Sequence, residues 1–245
     1  MKLHLVMPMG GIGKRFSDGG YELPKPLIEI HGKPFFYWAV RSIQKFIKLK
    51  DLTFIVLSQH VEQFEIDKKI KQFFPYSNIV VIDYKEVMGG PVATCLKSEL
   101  LVNDNDGVIF NDCDHMFTCK NFYRLINSDL LECDAALLTF FSQEKQFSYV
   151  KFNDGRVIGT IEKEVASNNA ICGAYYFRSF NIFKNAANDY LKKCNYGEFF
   201  ISGVYNVLCE KGFFVKVFDV DFHTSFGTPE EYKNAVKSPH FQDLD

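Results

Sequence analysis

The chain has 245 residues, of which 47% are hydrophobic and 24% charged, and its net charge is −2 at pH 7. This composition is typical of a globular protein, and it argues against a general nucleic-acid binder, which needs a basic surface. The sequence contains neither an apolar run of membrane-spanning length nor an initial stretch that resembles a secretion signal, so we expect a cytoplasmic protein with no membrane contact.

The first half alternates between strand and helix patterns. Apolar runs predict strands at 3–7, 52–57, 78–84, 107–112 and 135–141. Apolar residues at helical spacing predict helices at 34–48, 60–74 and 90–102. Alternating strands and helices build a mostly parallel sheet, so the α/β class is predicted.

The second half has a different pattern. Residues 149–164 predict a hairpin around Asn153-Asp154-Gly155. Thr228 as N-cap, followed by Pro229, predicts the start of the last helix. Further elements are predicted as strands at 170–178 and 213–222 and helices at 180–193 and 198–211. Without internal repeats or linkers, we interpret residues 1–245 as a single domain.

The cysteines give no sign of a metal or disulfide framework. Their number is odd and no pair has a CxxC spacing, so neither disulfides nor a zinc site is predicted, and a reducing compartment fits best. The seven cysteines are at positions 95, 113, 119, 133, 172, 194 and 209.

A glycine-rich loop follows the first predicted strand, with the sequence "GGIGKRF" over residues 10–16. It is neither a Walker A loop nor a complete dinucleotide fingerprint, because position 16 is Phe. Glycines let backbone N–H groups approach a ligand, and the nearby cations Lys14, Arg15 and Lys25 indicate an anionic one. We therefore predict a triphosphate site.

Two carboxylates follow another predicted central strand, in "VIFNDCDH" over residues 108–115. Ligands of open α/β sheets bind at the carboxyl ends of strands. On a strand, Asp112 and Asp114 would point to the same side, because side chains alternate. Paired carboxylates suit Mg²⁺, which takes oxygen ligands and bridges phosphates.

Several ordered motifs together resemble one known family. Gly11-x-Gly13-x-Arg15-Phe16 followed by Pro24-Lys25-Pro26-Leu27 is similar to the signature of sugar-phosphate nucleotidyltransferases, the nucleotide-sugar pyrophosphorylases. The variant resembles a subgroup that serves capsule and surface-polysaccharide synthesis. The resemblance covers nearly the whole chain and continues in "GGPVATCLKS" (89–98), "NDCDH" (111–115), "IEKE" (161–164), "CGAYYF" (172–177), "GEFFISGVYN" (197–206) and "GTPEEY" (227–232).

The resemblance implies a Rossmann-like, GT-A-like fold, with a mixed, mostly parallel sheet flanked by helices and a small β-rich acceptor lobe. About 1–145 would form the nucleotide-binding half and about 146–245 the acceptor-binding half. The implied reaction joins an NTP to a sugar 1-phosphate or similar small phosphate and releases pyrophosphate, with Mg²⁺ as cofactor. Capsule or lipopolysaccharide precursors are the implied products, and a homo-oligomer is left open.

The resemblance also assigns roles to residues. Arg15, Lys25 and Asp114 would be catalytic, with Asp114 binding the metal. Nucleotide binding is assigned to Met9, Gly10, Gly11, Gly13, Lys14, Gly90, Ala93 and Asp112. Acceptor binding is assigned to Glu162, Lys163, Gly173 and Glu198, while His115 is expected to form a pocket wall.

One position departs from the family pattern. Members often carry an aspartate two residues before the Gly-Thr-Pro-Glu motif as a second metal ligand, but here that position is Ser225. Either a nearby residue replaces it, among Asp219, Asp221 and His223, or Asp114 and the phosphates hold the metal largely alone. Asp221 is the substitute that we nominate.

Two other functions stay open at this point. A GT-A-type glycosyltransferase that uses a nucleotide sugar would share the nucleotide-binding half and a pattern such as Asp112-x-Asp114. It would not need Arg15 or Lys25. A nucleotide-binding relative that has lost catalysis is the second alternative, and Ser225 favours it.

Overall fold

The computed structural model describes residues 2–87, 89–128, 133–193 and 198–245. Cys194, and Gly197 at the start of the "GEFF" motif, lie outside the described residues. The strands are β1 (Leu3–Met9), β2 (Glu29–Ile30), β3 (Lys33–Pro34), β4 (Asp51–Leu57), β5 (Asn78–Ile82), β6 (Gly107–Asn111), β7 (His115–Thr118), β8 (Ala135–Phe141), β9 (Ser148–Asn153), β10 (Arg156–Glu162), β11 (Asn169–Phe177), β12 (Val215–Asp219) and β13 (Phe222–Ser225). The helices are α1 (Lys14–Asp18), α2 (Phe35–Gln44), α3 (Ser58–Phe64), α4 (Ile66–Phe73), α5 (Pro91–Leu96), α6 (Lys120–Asn127), α7 (Phe180–Lys193), α8 (Ile201–Glu210), α9 (Pro229–Ala235) and α10 (Phe241–Leu244).

A nine-stranded mixed sheet forms the centre of the described chain. Its main path runs β10-β9-β11-β6-β1-β4-β5, and β8 and β12 extend it beside β11. The strands β6, β1, β4 and β5 are parallel neighbours, whereas β11 is antiparallel to β6, β8 and β9. The carboxyl ends of β1 and β6 therefore lie side by side at one edge of the sheet.

Apolar side chains cover both faces of this sheet. Along β1, Leu5 and Met7 join a core with α2, α4 and α6, while Val6 joins a second core with α5, α7 and α8. This alternation follows from the period of two along a strand. A third cluster packs α1, α9 and α10 together around Phe16, Trp38, Phe226 and Phe241. The predicted mixed sheet flanked by helices is confirmed.

Several local predictions are confirmed as well. Helix α7 has the predicted bounds, and the 149–164 hairpin turns at Asp154 and Gly155, which both have positive φ. Thr228 caps α9, because its hydroxyl accepts a hydrogen bond from the backbone N–H of Glu231 at 3.2 Å. Among the described residues, no helix combines the length and the apolar character that crossing a membrane requires.

Other predicted elements need correction. The helix predicted at 60–74 is two helices, since Glu65 between them has a φ of 51° and breaks the hydrogen-bond ladder. The strand predicted at 213–222 is also two, because β12 pairs with β8 while β13 pairs with β7. The helix predicted at 90–102 is α only as far as Leu96 and continues as a 3-10 turn. Strand β7 and helix α6 were not predicted.

Candidate active site

A cavity of about 680 Å³ opens beyond the carboxyl ends of β1 and β6. The two halves of the chain both contribute to its wall. Of the predicted site residues, the following line it: Met9, Gly10, Gly11, Gly13, Lys14, Arg15, Lys25, Gly90, Asp112, Asp114, Glu162, Lys163, Gly173 and Glu198. Ala93 and Asp221 do not line the cavity.

The glycine loop packs closely against Lys25. Gly13 has a φ of 67°, and a Cβ there would lie 3.2 Å from the Cβ of Lys25. The loop is anchored by Phe16, which is buried and packs edge-on against Tyr21 and Phe35. Arg15, next to this anchor, stays exposed and lines the cavity. Glycine at position 13 is thus required by backbone conformation and by close packing.

Lys25 and Asp114 form an ion pair inside the cavity. The Nζ of Lys25 lies 2.9 Å from Oδ2 of Asp114, and both side chains are partly buried. Burial alone would lower the pKa of Lys25, but the charge and hydrogen bond of Asp114, together with the acidic groups nearby, outweigh it and raise that pKa. Burial would likewise raise the pKa of Asp114, but the charge and hydrogen bond of Lys25, with smaller effects of His115 and the backbone, together hold it below its usual value. Both groups are therefore charged at neutral pH.

Asp112 lies in a different electrostatic environment from Asp114. Burial, followed by the charge of Asp114, raises the pKa of Asp112 to about 7. Gly173 permits this position, because a Cβ there would lie 2.9 Å from Oδ2 of Asp112. The backbone N–H of Asp112 also donates to the carbonyl of Gly173 at 2.9 Å.

The alternation of side chains along a strand predicts Asp112 and Asp114 on the same side, and the structure corrects that reason. Strand β6 ends at Asn111, so Asp112 and Asp114 lie in the connection to β7 rather than alternating along a strand. They face one cavity because this connection curves around it. His115, at the start of β7, lines the same wall, and its Nε2 lies 3.1 Å from Oδ1 of Asn111.

Gly90 makes a close approach, as predicted, but to the protein chain itself. It has a φ of 108°, and a Cβ there would lie 2.7 Å from Cγ of Glu198 and 2.9 Å from the backbone nitrogen of Phe199. The backbone N–H of Phe199 donates to the carbonyl of Gly89 at 2.7 Å. The segment before α5 thereby joins the two halves. Pro91 and Thr94, rather than Ala93, are the α5 residues in the cavity wall.

Glu162 and Lys163 lie at the end of β10 on another side of the cavity. The hydroxyls of Ser148 and Ser202 both donate to Oε1 of Glu162, the first at 2.5 Å. The Nζ of Lys163 lies 5.3 Å from the centre of the Phe200 ring. Two hydroxyl donors fix the Glu162 carboxylate in place, so it can accept hydrogen bonds from a polyhydroxylated ligand only at its remaining oxygen.

The two acids considered as substitutes for the aspartate missing at Ser225 lie outside the cavity wall. Oδ2 of Asp221 accepts a hydrogen bond from the backbone N–H of Lys120 at 2.7 Å, at the start of α6. Oδ1 of Asp219 accepts from Thr139 at 2.8 Å and from Asn169 at 3.0 Å. The structure does not bring the nominated Asp221 into the cavity with Asp114, because this acid instead holds the start of α6.

Some residues of the cavity wall were not predicted as site residues. Glu231 is the acid among them. Its place in the first turn of α9 is one where an acid favours the start of a helix, so the sequence offered no reason to assign it to a site. Burial, and then the charge of Asp114, raise the pKa of Glu231. The others with polar side chains include Thr94, Gln146, Ser148 and Ser225, whereas His223, which was considered beside Asp219 and Asp221 as a substitute ligand, also lines the cavity.

The cavity chemistry fits a hard divalent cation that is shared with phosphates. Within the described ranges, no three His, Cys, Asp or Glu side chains are grouped to hold a metal by themselves. Asp114 nevertheless presents a carboxylate already paired with a cation, the Lys25 ammonium. Mg²⁺ commonly takes one or two protein carboxylates and completes its shell with phosphate oxygens and water. Asp114 is the residue that would hold it here.

Known proteins are similar to this chain over nearly its whole length. A family model described as nucleotidyl transferase matches residues 5–237. The chain is 23% identical to the D-glycero-alpha-D-manno-heptose 1-phosphate guanylyltransferase of Aneurinibacillus thermoaerophilus, over 96% of this chain and 97% of that protein.

Solved structures show the same fold. The nucleoside-diphosphate-sugar pyrophosphorylase of Vibrio cholerae RC9 superposes with a TM-score of 0.79 at 22% identity, covering 96% of this chain and all of that one (100%). The inositol-1-phosphate CTP transferase of T. maritima superposes with a TM-score of 0.74 at 17% identity, covering 100% and 94%.

Proposed function

The chain belongs to the nucleotidyl transferase family, and we propose that it transfers a nucleotidyl group from an NTP to a sugar 1-phosphate or a similar small phosphate. Pyrophosphate is the second product. The chain acts with Mg²⁺ in the cytoplasm, where NTPs are available, and its product is a precursor for capsule or lipopolysaccharide assembly. Residues from about 1–145 bind the nucleotide, and those from about 146–245 bind the acceptor.

One observation carries this proposal. Arg15, Lys25 and Asp114 line the same cavity as Glu162 and Lys163, although the two groups come from opposite halves of the chain. A cation-rich wall suits a triphosphate, and a fixed carboxylate beside a lysine suits a phosphorylated polyol. A single cavity that holds both ligands brings the reacting phosphates together, which is the condition for direct transfer.

The chemistry is an in-line displacement at the α-phosphorus. An oxygen of the acceptor phosphate forms the new bond to phosphorus, and the bond from phosphorus to the bridging oxygen of the leaving pyrophosphate breaks. Both reactants are anions, so charge repulsion opposes their approach. Arg15 and Lys25 offset that repulsion and stabilise the charge that builds up on the phosphate oxygens. Mg²⁺ on Asp114 supplies further neutralisation when bound.

Each half of the cavity has its own positioning task. The loop of Gly10, Gly11 and Gly13 lets backbone groups approach the nucleotide, and Met9, Lys14 and Gly90 complete that side. On the other side, Glu162 accepts hydrogen bonds from acceptor hydroxyls, and Lys163 pairs with its phosphate. Gly173 and Glu198 complete the acceptor wall.

The direct test is a matrix of the four NTPs against a panel of sugar 1-phosphates with Mg²⁺, with pyrophosphate release as the readout. We expect at least one pair to turn over. Arg15→Ala and Asp114→Ala should each reduce turnover by about 10²-fold or more, which is the usual cost of removing a group that stabilises transition-state charge. Arg156→Ala is a matched control, because Arg156 is exposed on the β9–β10 hairpin.

Other outcomes separate the alternatives. Sugar transfer from a supplied nucleotide sugar, without pyrophosphate release, would identify a glycosyltransferase. Tight NTP binding with no turnover on any acceptor would identify a catalytically inactive relative. Full activity in both Arg15→Ala and Asp114→Ala would remove the assignment of these residues to the reaction.

A further inference from the structure

Glu231 approaches Asp114 across Gly227. A Cβ built on Gly227 would lie 2.4 Å from Oδ2 of Asp114 and 3.5 Å from Oε2 of Glu231. Both carboxylates therefore lie next to the space that a side chain at position 227 would occupy. The backbone N–H of Phe226 also donates to the carbonyl of Asp114 at 2.8 Å, which holds this segment against the cavity floor.

Specific contacts keep Glu231 turned toward this corner. Its backbone N–H donates to the hydroxyl of the N-cap Thr228 at 3.2 Å, which fixes the first turn of α9. Nε2 of Gln146 donates to Oε1 of Glu231 at 3.2 Å, and the Ser225 hydroxyl also hydrogen bonds to this carboxylate. The Gln146 contact is made to Oε1, whereas Oε2 is the oxygen that lies beside Gly227, as Oδ2 of Asp114 also does.

Two imidazole rings line this part of the cavity, and each has a buried nitrogen without a hydrogen-bond partner among the described residues. His115 is only 2% exposed, and its Nδ1 has no hydrogen-bond partner among the described residues. The Nε2 of His223 is also buried without a partner there, while this ring hydrogen bonds to the Cys172 backbone. The ring centres lie 5.7 Å apart. Buried nitrogens of this kind are normally satisfied, so they independently indicate a ligand at this corner.

We propose that Glu231 is the second protein carboxylate that binds the divalent cation, opposite Asp114 across Gly227. This inference rests on the proposed function, which supplies the cation. The physical reason is charge: two carboxylates that share a partly dry corner repel each other, and a divalent cation between them converts that repulsion into attraction. Lys25 forms its ion pair with Asp114, and no ion pair among the described residues involves Glu231.

The test measures metal binding rather than turnover. Mn²⁺, which also takes oxygen ligands and is visible by electron paramagnetic resonance, is titrated into the chain alone and in the presence of inorganic tripolyphosphate. We expect one site in the wild-type chain. Glu231→Gln should weaken Mn²⁺ binding at least about tenfold, since even outer partners of metal ligands change affinity by about 10- to 100-fold.

Two further variants make the test specific. Glu230→Gln is the matched control, because Glu230 is the adjacent acid and is exposed; it should bind Mn²⁺ as the wild type does. The double variant Ser225→Asp/Glu231→Gln should recover most of the lost affinity, because residue 225 lies within hydrogen-bonding reach of position 231. Thermal unfolding of each variant reports whether the fold is kept.

The outcomes decide the inference. Unchanged Mn²⁺ affinity in Glu231→Gln overturns it, as does a wild-type chain with no Mn²⁺ site under either condition. If Glu231→Gln weakens Mn²⁺ binding and the double variant does not restore it, the role of Glu231 is structural, and direct binding is overturned. Pyrophosphate release by the wild-type chain is measured separately. A chain that binds Mn²⁺ through Glu231 but releases no pyrophosphate would refute the proposed reaction and leave the metal site standing.

Discussion

The ammonium group of Lys25 lies 2.9 Å from the carboxylate of Asp114, although the two residues are 89 positions apart in the chain. The contact joins the short 3-10 turn of residues 25–27 to the connection between β6 and β7. It places one cation and one anion at the floor of the cavity, where a polyphosphate and its metal bind in the proposed reaction. Lys25 is therefore positioned to exchange Asp114 for phosphate when substrate enters.

Replacing Lys25 by Met tests this relationship. Lys25→Met keeps the aliphatic length but removes the charge, so kcat/KM for NTP turnover should fall by about 10²-fold or more, as for other transition-state donors. Lys33→Met is the control, because the Nζ of Lys33 lies over the rings of Tyr37 and Phe73 and not in the cavity wall. Steady-state kinetics on both variants provide the measurement, and a Lys25→Met enzyme as active as the control would refute the role.

Glu162→Gln should act on the acceptor alone. The neutral amide is a weaker acceptor of hydrogen bonds than the carboxylate, so the KM for the sugar phosphate should rise by about tenfold, the effect of losing about 1.4 kcal/mol of binding. The KM for the NTP should stay within about twofold of the wild-type value, a difference of less than RT in binding free energy. Glu164→Gln serves as the control, because Glu164 is exposed and outside the cavity wall. Equal effects on both substrates would contradict the division of the cavity.

Gly11 and Gly90 should respond differently to alanine. A Cβ on Gly11 meets no protein atom within 4 Å, so Gly11→Ala should unfold at the wild-type temperature and raise only the KM for the NTP. A Cβ on Gly90 would lie 2.7 Å from Glu198 at a φ of 108°. Gly90→Ala should therefore lose about 1–3 kcal/mol of stability. Thermal or denaturant unfolding combined with kinetics distinguishes the two. A destabilised Gly11→Ala would show that the loop packs against protein instead.

Asp112 predicts a specific dependence of stability on pH. Burial and the charge of Asp114 raise its pKa from 3.8 to about 7 in the folded chain. Between these values the folded chain holds more protons than the unfolded chain, so this group's contribution to stability falls as the pH rises through that window. Asp112→Asn removes the titrating group. Its melting temperature relative to the wild type should therefore be higher at pH 8 than at pH 5.

The pH experiment is a series of melting curves from pH 5 to 8. Asp154→Asn is the control, because Asp154 is exposed in the β9–β10 turn. The difference between this control and the wild type should stay flat over the same range. A flat difference for Asp112→Asn as well would show that Asp112 is not held in the protonated form by the fold.

Local features of the chain were determined by its sequence. The hairpin at Asp154-Gly155 and the cap at Thr228 depend on the backbone preferences of a few adjacent residues, so their patterns predicted them directly. The break at Glu65 was missed, because nothing in the helical spacing marks a non-glycine residue with positive φ. The strand β7 was missed for a different reason, since it is stabilised by pairing with β13, which is distant in sequence.

The residues of the candidate site show the same contrast between local sequence patterns and long-range packing. The order of residues alone indicates that a glycine loop with cations follows one strand and that carboxylates follow another. Parallel neighbouring strands place their carboxyl ends at the same edge of a sheet, so the loop cations and the carboxylates lie close together once β1 and β6 pair. Which acid of the last segment lies beside Asp114 depends on how distant elements pack. Asp221 is closer to Ser225 in sequence, but it bonds to Lys120 at the start of α6, whereas packing of α9 beside Gly227 brings Glu231 to the cavity. Such long-range packing depends on the shape of the whole core, which no local pattern of residues encodes.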